Sequence, residues 1–276
     1  MEDGWLVRGV TQHGVARVLA VQVTAAAQEV AQAHELGSAA TAAAAEGVVA
    51  TALLAAHIKG EERLTLQLQA TEPKVAFIGD INASGHLRAR FTPASLPRGF
   101  DGRFDGMLFA IKHNAQRELY RGVTEVAQES LASALQRLLV SSSQVPGALR
   151  SVVRMGSEGV AFAGGLYVEL LPGDHAEPPA DPNTLLDLEH LEIAVMALYD
   201  EFRLGTLPVD VLECQPIVWR CSCSRDRVAN ILRSLGATEL RDMHRTDDGA
   251  LVSCDFCRTD YRFDGSELLD LIEEIP

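Results

Sequence analysis

Four cysteines near the C-terminal end of the chain have a spacing that could bind a metal ion. Cys221 and Cys223 lie in the segment CSCS, Cys254 and Cys257 lie in CDFC, and thirty residues separate the two pairs. Thiolates are preferred ligands of zinc, and four of them complete its tetrahedral coordination without leaving a position for water. The spacing therefore predicts one closed, structural zinc site rather than a hydrolytic one.

Other interpretations of these cysteines stay open at this level. The thiols could form disulfide bonds, or the pattern could belong to a zinc-ribbon module that binds RNA, or His244 could replace one thiol as a ligand. A fifth cysteine, Cys214, precedes Cys221 by seven residues. It is either an idle thiol or a possible accessory thiol that attacks an oxidised cysteine of the cluster and changes which disulfides form.

The segment that holds the four cysteines is too short to bury a large hydrophobic core by itself. Structural zinc contributes an apparent free energy of roughly 10–16 kcal/mol, which is comparable with the whole stability of a typical domain, roughly 5–15 kcal/mol. We therefore expect the metal to decide whether this segment is folded. Oxidation of the thiolates should remove the ligands and unfold it.

The composition of the 276-residue chain excludes several classes of protein. There are 24 basic and 38 acidic residues, and the formal net charge of -14 argues against a nucleic-acid partner. The most apolar stretch, VVATALLAAHI from Val48, is shorter than the roughly 18 residues that a membrane-spanning helix needs. The N-terminal segment MEDGWLVRGV lacks the apolar core of a secretory signal. We expect a cytoplasmic protein with no membrane partner, in a compartment that keeps thiols reduced.

The sequence predicts an α+β fold with three regions. Residues 1–172 carry strand and helix patterns without a regular βα repeat, which is typical of an N-terminal core domain with a mixed α/β sheet. A proline- and acid-rich break, PGDHAEPPADPN, begins a helical linker or middle region, 173–219, whose main feature is an amphipathic helix over about 184–202. Residues 220–276 are the small C-terminal zinc-binding domain, which ends in a helix capped by Asp264 or Ser266.

Within the first region the apolar residues alternate over 7–23, which predicts a strand, and again in RLTLQLQA, KVAFIGDI and HLRARF. Alanine-rich segments predict helices over about 25–35 and 38–58, and leucines on one helical face predict a third over 126–142. The motifs H-E-x-x-H, G-x-S-x-G and G-x-G-x-x-G and the P-loop are absent from the sequence. We therefore expect a protein that is not an enzyme, with His57 and His113 as packing or surface residues. An α+β hydrolase or transferase with a passive zinc domain stays open as the alternative.

The segments CSCSRDRV and CDFCRTDYRF, with the spacer between them, closely resemble the C-terminal zinc motif of the 33-kDa heat-shock protein family. The members of this family are bacterial redox-regulated chaperones. Upstream, GVAFAGGLYVELLPG resembles the glycine-rich strand region of the family, and TALLAAHIKGEERLTLQLQ resembles its early helix and strand. The resemblance therefore spans nearly the whole chain. Cys214 departs from the usual pattern of the family.

The resemblance implies an ATP-independent chaperone (holdase) that is switched by oxidation. In the reduced, inactive state the four cysteines would hold one Zn²⁺. Peroxide with heat, or hypochlorous acid, would form the disulfides Cys221–Cys223 and Cys254–Cys257, release the zinc, and unfold the zinc domain with the linker. The exposed apolar surface would hold unfolding client proteins and prevent their aggregation under oxidative or heat stress. Members of the family form homodimers on activation.

Overall fold

The structure is a computed structural model that describes residues 4–12, 15–171, 181–186 and 190–275. The chain divides into two compact units, residues 1–220, named here the sheet unit, and residues 221–276, the cysteine unit. Each unit has a hydrophobic core of its own. Both combine helices with antiparallel strands, so the predicted α+β class is confirmed.

The sheet unit is built on one large sheet. Its strands are β1 (Gly4–Thr11), β2 (Ala16–Gln22), β3 (Arg63–Glu72), β4 (Lys74–Asn82), β5 (His86–Thr92), β6 (Phe104–His113), β7 (Glu118–Glu129), β8 (Gly147–Gly156), β9 (Gly159–Leu170), β10 (Arg203–Leu204) and β11 (Leu207–Trp219). Its helices are α1 (Thr24–Ala33), α2 (Ser38–Leu53), α3 (Leu131–Ser143), α4 (Pro182–Leu185) and α5 (Leu191–Asp200). The strand order is β7-β6-β3-β4-β5-β11-β1-β2-β9-β8, and β10 pairs with β11. Among the described strands, the pairing of β5 with β11 is parallel and the others are antiparallel.

Two predicted elements of this unit have different limits in the structure. The strand predicted over 7–23 is the hairpin of β1 and β2, whose turn is closed by hydrogen bonds in both directions between Thr11 and Ala16. The alternation of apolar residues runs through both strands, so the pattern does not reveal the turn. The third predicted helix begins at Leu131 instead of 126, because Ser130 caps it and Val126 is buried in the last part of β7.

Helix α2 lies in the core of the sheet unit. Together with the 3₁₀ turn Leu54–His57, it is longer and more apolar than the stretch from Val48 indicated, and it could span a membrane by length and composition alone. However, 78% of its most apolar window is buried inside the unit, which identifies it as a core helix. Two glycines permit the close packing: a Cβ on Gly47 would lie 2.6 Å from the ring of Phe77, and a Cβ on Gly79 would lie 2.1 Å from Oγ1 of Thr51.

Among the described residues of the region 173–219, helices occur before β10 and strand structure follows. The described residues of the helix predicted over 184–202 form two helices, α4 and α5, and residues 187–189 lie outside the described ones. Residues 207–219 form β11 and belong to the sheet unit, since β11 lies in the large sheet between β5 and β1. Their sequence, LPVDVLECQPIVW, places β-branched residues at alternating positions, a pattern that favours a strand.

Helix α5 covers one face of the sheet with the apolar stripe that the sequence indicated. Val195 and Leu198 are fully buried in a cluster that also contains Trp5 of β1. The ring of Tyr199 stacks on the ring of Trp5 with 4.5 Å between their centroids. This second core is separate from the larger one, which lies on the side of the sheet that faces α2.

The cysteine unit is small and contains α6 (Arg225–Leu235), α7 (Ala237–Asp247), β12 (Gly249–Ser253), β13 (Asp260–Asp264) and α8 (Gly265–Glu273). Strands β12 and β13 form an antiparallel hairpin. The core has seven buried residues, Val228, Ala229, Leu232, Leu240, Phe263, Leu268 and Leu271. Of the two predicted caps of α8, Asp264 is the one used, in a capping box with Glu267.

Candidate metal centre

The four cysteines that the spacing singled out converge in the cysteine unit. Their sulfur atoms all lie within 4.8 Å of one another. The Sγ atoms of Cys221 and Cys254 are 3.7 Å apart, and those of Cys223 and Cys257 are 3.3 Å apart. Both distances exceed the roughly 2.05 Å of a disulfide bond, and all four residues are free thiols.

The dimensions of this cluster suit a tetrahedral metal ion. A zinc–sulfur bond of about 2.3 Å places neighbouring sulfurs of a tetrahedral site about 3.8 Å apart. The observed separations of 3.3 and 3.7 Å require shifts of a few tenths of an ångström to reach that value. Four cysteines are therefore positioned to bind a metal ion, and they leave no ligand position open.

The first cysteine pair lies on the segment that leads from β11 into α6. Ser224 caps α6, because its side chain accepts a hydrogen bond from the backbone N–H of Arg227. The guanidinium of Arg227 in turn donates to the carbonyl oxygen of Ser222 at 2.7 Å and to its hydroxyl at 2.8 Å. These bonds fix the backbone on both sides of Cys223 and hold the first two sulfurs at the start of the helix.

The second pair lies on the turn between β12 and β13. The N–H of Cys254 donates to the carbonyl of Thr259, and the N–H of Arg258 donates back to the carbonyl of Cys254, both at 2.9 Å. Arg258 has a φ of 59°, in the left-handed region, and this reversal brings Cys257 back beside Cys254. The hairpin thus holds the second two sulfurs against the first two.

Two hydroxyl groups contact the cluster, and the sequence pattern did not single them out. The hydroxyl of Tyr261 donates to Sγ of Cys223 at 3.1 Å, and Oγ1 of Thr259 lies 3.2 Å from Sγ of Cys257. The contact with Cys223 raises the pKa of Tyr261 to about 12. The only signal in the sequence is the position of both residues, two and four places after Cys257, where strand β13 begins.

The thiols differ in their acidity. Burial raises the pKa of Cys221, and burial raises that of Cys223 to about 12. Burial also acts to raise the pKa of Cys257, but hydrogen bonds from Thr259 and from the neighbouring thiols outweigh it and lower the pKa to about 7. Because metals bind the thiolate form, an ion that enters this cluster displaces protons, and its affinity rises with pH.

The remaining predicted residues lie outside the cluster. Nδ1 of His244 is 3.3 Å from Oδ1 of Asp248, and His244 is not part of the group of four. Cys214 is an exposed residue of β11, opposite Val7 of β1. Partial desolvation of its thiol, followed by the charge of Glu213, raises its pKa. Its role as an accessory thiol stays a prediction.

The two histidines that the sequence placed in packing or surface positions belong to the sheet unit. His57 lies in the 3₁₀ turn after α2. Burial, together with the charges of Arg17, Arg8 and Lys112, lowers its pKa to about 4. It lines a cavity of about 490 Å³ with largely apolar walls. His113 is half-buried at the end of β6.

Comparisons with known proteins agree with this architecture. A family model described as "Hsp33 protein" matches residues 5–264. A protein named 33 kDa chaperonin from Citrifermentans bemidjiense is 31% identical, with 98% of this chain and 97% of that protein covered. A protein of the same name from Symbiobacterium thermophilum is also 31% identical, with 97% and 96% covered.

The fold has a counterpart among solved structures. The crystal structure of the 33 kDa chaperonin (heat shock protein 33 homolog) from Thermotoga maritima superimposes with a TM-score of 0.78 at 21% identity, over 99% of both chains. The two units, the converging cysteines and the match of the family model over nearly the whole length lead to one conclusion. This chain belongs to the Hsp33 protein family.

Proposed function

We propose that this protein is a redox-regulated, ATP-independent chaperone that is inactive with zinc bound and is activated by oxidation of its cysteines. The observation that carries the proposal is the convergence of four sulfur atoms within 4.8 Å in a unit with a core of only seven buried residues. Curated relatives that align over nearly the whole chain are named chaperonins.

Zinc is the metal that suits this donor set best, because four thiolates satisfy its tetrahedral coordination. Cys221, Cys223, Cys254 and Cys257 would hold it in the reduced state. The ion would tie together residues 33 and 34 positions apart and would supply a large part of the folding free energy of the cysteine unit. A small core alone leaves a unit of this size marginal.

Oxidation removes the ligands in two steps for each pair. A thiolate attacks hydrogen peroxide, so that an S–O bond forms, the O–O bond breaks and hydroxide leaves. The second thiolate of the pair attacks the resulting sulfenic acid, which forms the S–S bond and releases a second hydroxide. Two thiolates, one peroxide and two protons thus give one disulfide and two waters. The pairs Cys221–Cys223 and Cys254–Cys257 follow from the family resemblance.

Loss of zinc should unfold the cysteine unit and the region 173–219. Helix α5 covers an apolar face of the sheet that includes Trp5 and Val7 of β1, and its departure would expose that face. The exposed surface would hold unfolding client proteins. Activation would be accompanied by formation of a homodimer, in the cytoplasm. The net charge of -14 favours protein clients over nucleic acid.

The experiment starts from the reduced, zinc-loaded full chain. One sample is oxidised with peroxide at raised temperature, and zinc release and suppression of the aggregation of a thermally unfolding client are measured. We expect oxidation to release the metal and to switch on suppression without added ATP. The proposal fails if the zinc stays bound and the oxidised protein suppresses aggregation no better than the reduced protein.

A further inference from the structure

Strand β11 has an unusual position for a segment that immediately precedes the cysteine unit in the chain. It lies inside the large sheet and pairs antiparallel with β1 from Gly4 opposite Ile217 to Thr11 opposite Val209. Without β11, the described strands of the sheet would fall into two blocks, β7-β6-β3-β4-β5 and β1-β2-β9-β8. The edge of β1 that now pairs with β11 would then have no strand beside it, while the other edge would stay paired with β2.

The structure holds β11 weakly for an interior strand. Within the described residues, its backbone pairs with β5 only at Val218 and Trp219. Leu212 forms a bulge opposite the step from Arg8 to Gly9 and is 69% exposed. Pro216 has no N–H, so β11 lacks a backbone donor two residues before Val218 on the side that faces β5. Strands of this kind open at lower free energy than the core strands around them.

The end of β11 is also joined directly to the metal ligands. The N–H of Val218 donates to the carbonyl of Gly85 at 3.0 Å, and the N–H of Arg220 donates to the carbonyl of Leu87 at 2.8 Å. Arg220 is the residue before Cys221, so the last hydrogen bond of the strand lies one residue from the first ligand. If the segment of the cysteines loses its structure, the hydrogen bond from Arg220 to Leu87 is the first bond of β11 to break.

We propose that the edge of β1 vacated by β11 is a binding site for client proteins, and that it takes an extended segment of an unfolding chain as a replacement strand antiparallel to β1. This inference rests on the proposed function, since β11 leaves the sheet only if oxidation unfolds the region 173–219. The site is the backbone of Gly4–Thr11 together with the apolar face next to it.

Strand β11, which now occupies this edge of β1, indicates which kind of strand the site accepts. Val209 and Val211 of β11 pack, two residues apart, on the same apolar cluster that contains Trp5 and Val7. A client strand with apolar residues at alternating positions would reproduce these contacts. Its backbone would supply the rest of the binding, because a strand added to a sheet edge is recognised mainly through main-chain hydrogen bonds. Recognition of the main chain tolerates many sequences, as a chaperone of unfolding proteins requires.

Hydrogen exchange of the full chain tests this site directly. The peptide that covers residues 4–12 is followed in the reduced protein, in the oxidised protein, and in the oxidised protein with reduced, carboxymethylated α-lactalbumin as a permanently unfolded client. We expect exchange in this peptide to become about tenfold faster or more on oxidation and to slow again when the client binds. Residues 63–72 of β3, which do not pair with β11, serve as the internal control and should stay slow.

A synthetic copy of β11 provides the second arm. A peptide of residues 207–219 with Cys214→Ser should bind the oxidised protein, slow exchange of residues 4–12 and compete with the client. The matched control carries Val209→Pro and Val211→Pro, which remove the apolar contacts with the cluster that contains Trp5 and Val7 and restrict the backbone φ that an extended strand needs, and it should do none of these.

Two results separate this inference from the proposed function. If the oxidised protein suppresses aggregation while residues 4–12 stay slow in exchange, or stay fast with the client bound, the binding site is elsewhere and only this inference is overturned. If oxidation neither releases zinc nor suppresses aggregation, the proposed function falls and this inference falls with it.

Discussion

The sheet unit and the cysteine unit are stabilised in different ways. The sheet unit has two extended apolar clusters on its sheet, with long strands and the largely buried helix α2. The cysteine unit has seven buried core residues, a two-stranded hairpin and three short helices around the sulfur cluster. The difference implies that burial of apolar surface supplies most of the stability of the sheet unit, while the stability of the cysteine unit depends on what binds its cysteines.

The largest effect should follow from loss of one metal ligand. The change Cys257→Ser would leave the proposed zinc site with three ligands, and structural zinc contributes on the order of 10 kcal/mol to the folding of small domains. We expect residues 221–275 to lose protection from hydrogen exchange and the protein to retain little zinc, while residues 15–171 stay protected. Zinc content and exchange by mass spectrometry measure both. The matched control is Cys214→Ser, which removes the thiol outside the cluster and should retain the metal.

One substitution that creates a cavity in each core tests whether the two units lose stability independently. Leu240 in the cysteine unit and Leu66 in the sheet unit are both fully buried, and replacement of either by Ala should cost about 2–5 kcal/mol. We expect Leu240→Ala to speed the loss of zinc to a chelator and to leave the melting temperature of the sheet unit unchanged. Leu66→Ala should lower the melting temperature of the sheet unit and leave the rate of zinc loss unchanged. Similar zinc loss in both variants would contradict the comparison.

The acid response of the sheet unit should depend on His57. Its pKa is lowered from 6.5 to about 4, so the unfolded chain takes up a proton at a higher pH than the folded unit does. The resulting contribution is fully present above about pH 6.5 and is lost as the pH falls through about 4, a change of about 3 kcal/mol. Urea denaturation of the wild type should show this loss, and His57→Gln should remove it. An unchanged pH dependence in the variant would assign the acid response to other groups.

Loss of a helix cap should have the smallest effect on stability, and one cap in each unit allows a direct comparison. Ser224 caps α6 in the cysteine unit, and Ser130 caps α3 in the sheet unit. Replacement of either by Ala should cost about 1 kcal/mol. Because the cysteine unit has little stability of its own, we expect Ser224→Ala to accelerate zinc release by peroxide several-fold. Ser130→Ala should leave that rate unchanged. Equal rates of zinc release in the two variants would show that the cap of α6 does not affect the stability of the metal site.

The sequence predicted the cysteine cluster because four ligands of one type at two short spacings leave few alternatives once the chain folds. It also located α1 and α2, because their alanine-rich sequences favour helices, and the strands around KVAFIGDI, because their apolar residues recur at strand spacing. The place of β11 could not be predicted. Its neighbours β1 and β5 are more than a hundred residues away in the chain, and periodicity carries no information about such pairings. The hydroxyls of Tyr261 and Thr259 were missed for a related reason, because their role depends on the turn geometry of the second pair.

The arrangement of the sulfurs also determines how much of the chain each type of bond constrains. The two short sulfur–sulfur distances join residues 33 and 34 positions apart, and a covalent link there would lower the entropy of the unfolded chain by an amount worth about 4 kcal/mol. A disulfide within either pair closes a loop of only three or four residues, for which the same relation gives about 2 kcal/mol or less. A bound zinc ion would therefore close the long loop, and the proposed oxidation within the pairs would reopen it while every sulfur stays bonded. The freed loop would regain its chain entropy, so the oxidised unit would have no long-range link to guide refolding until its disulfides are reduced.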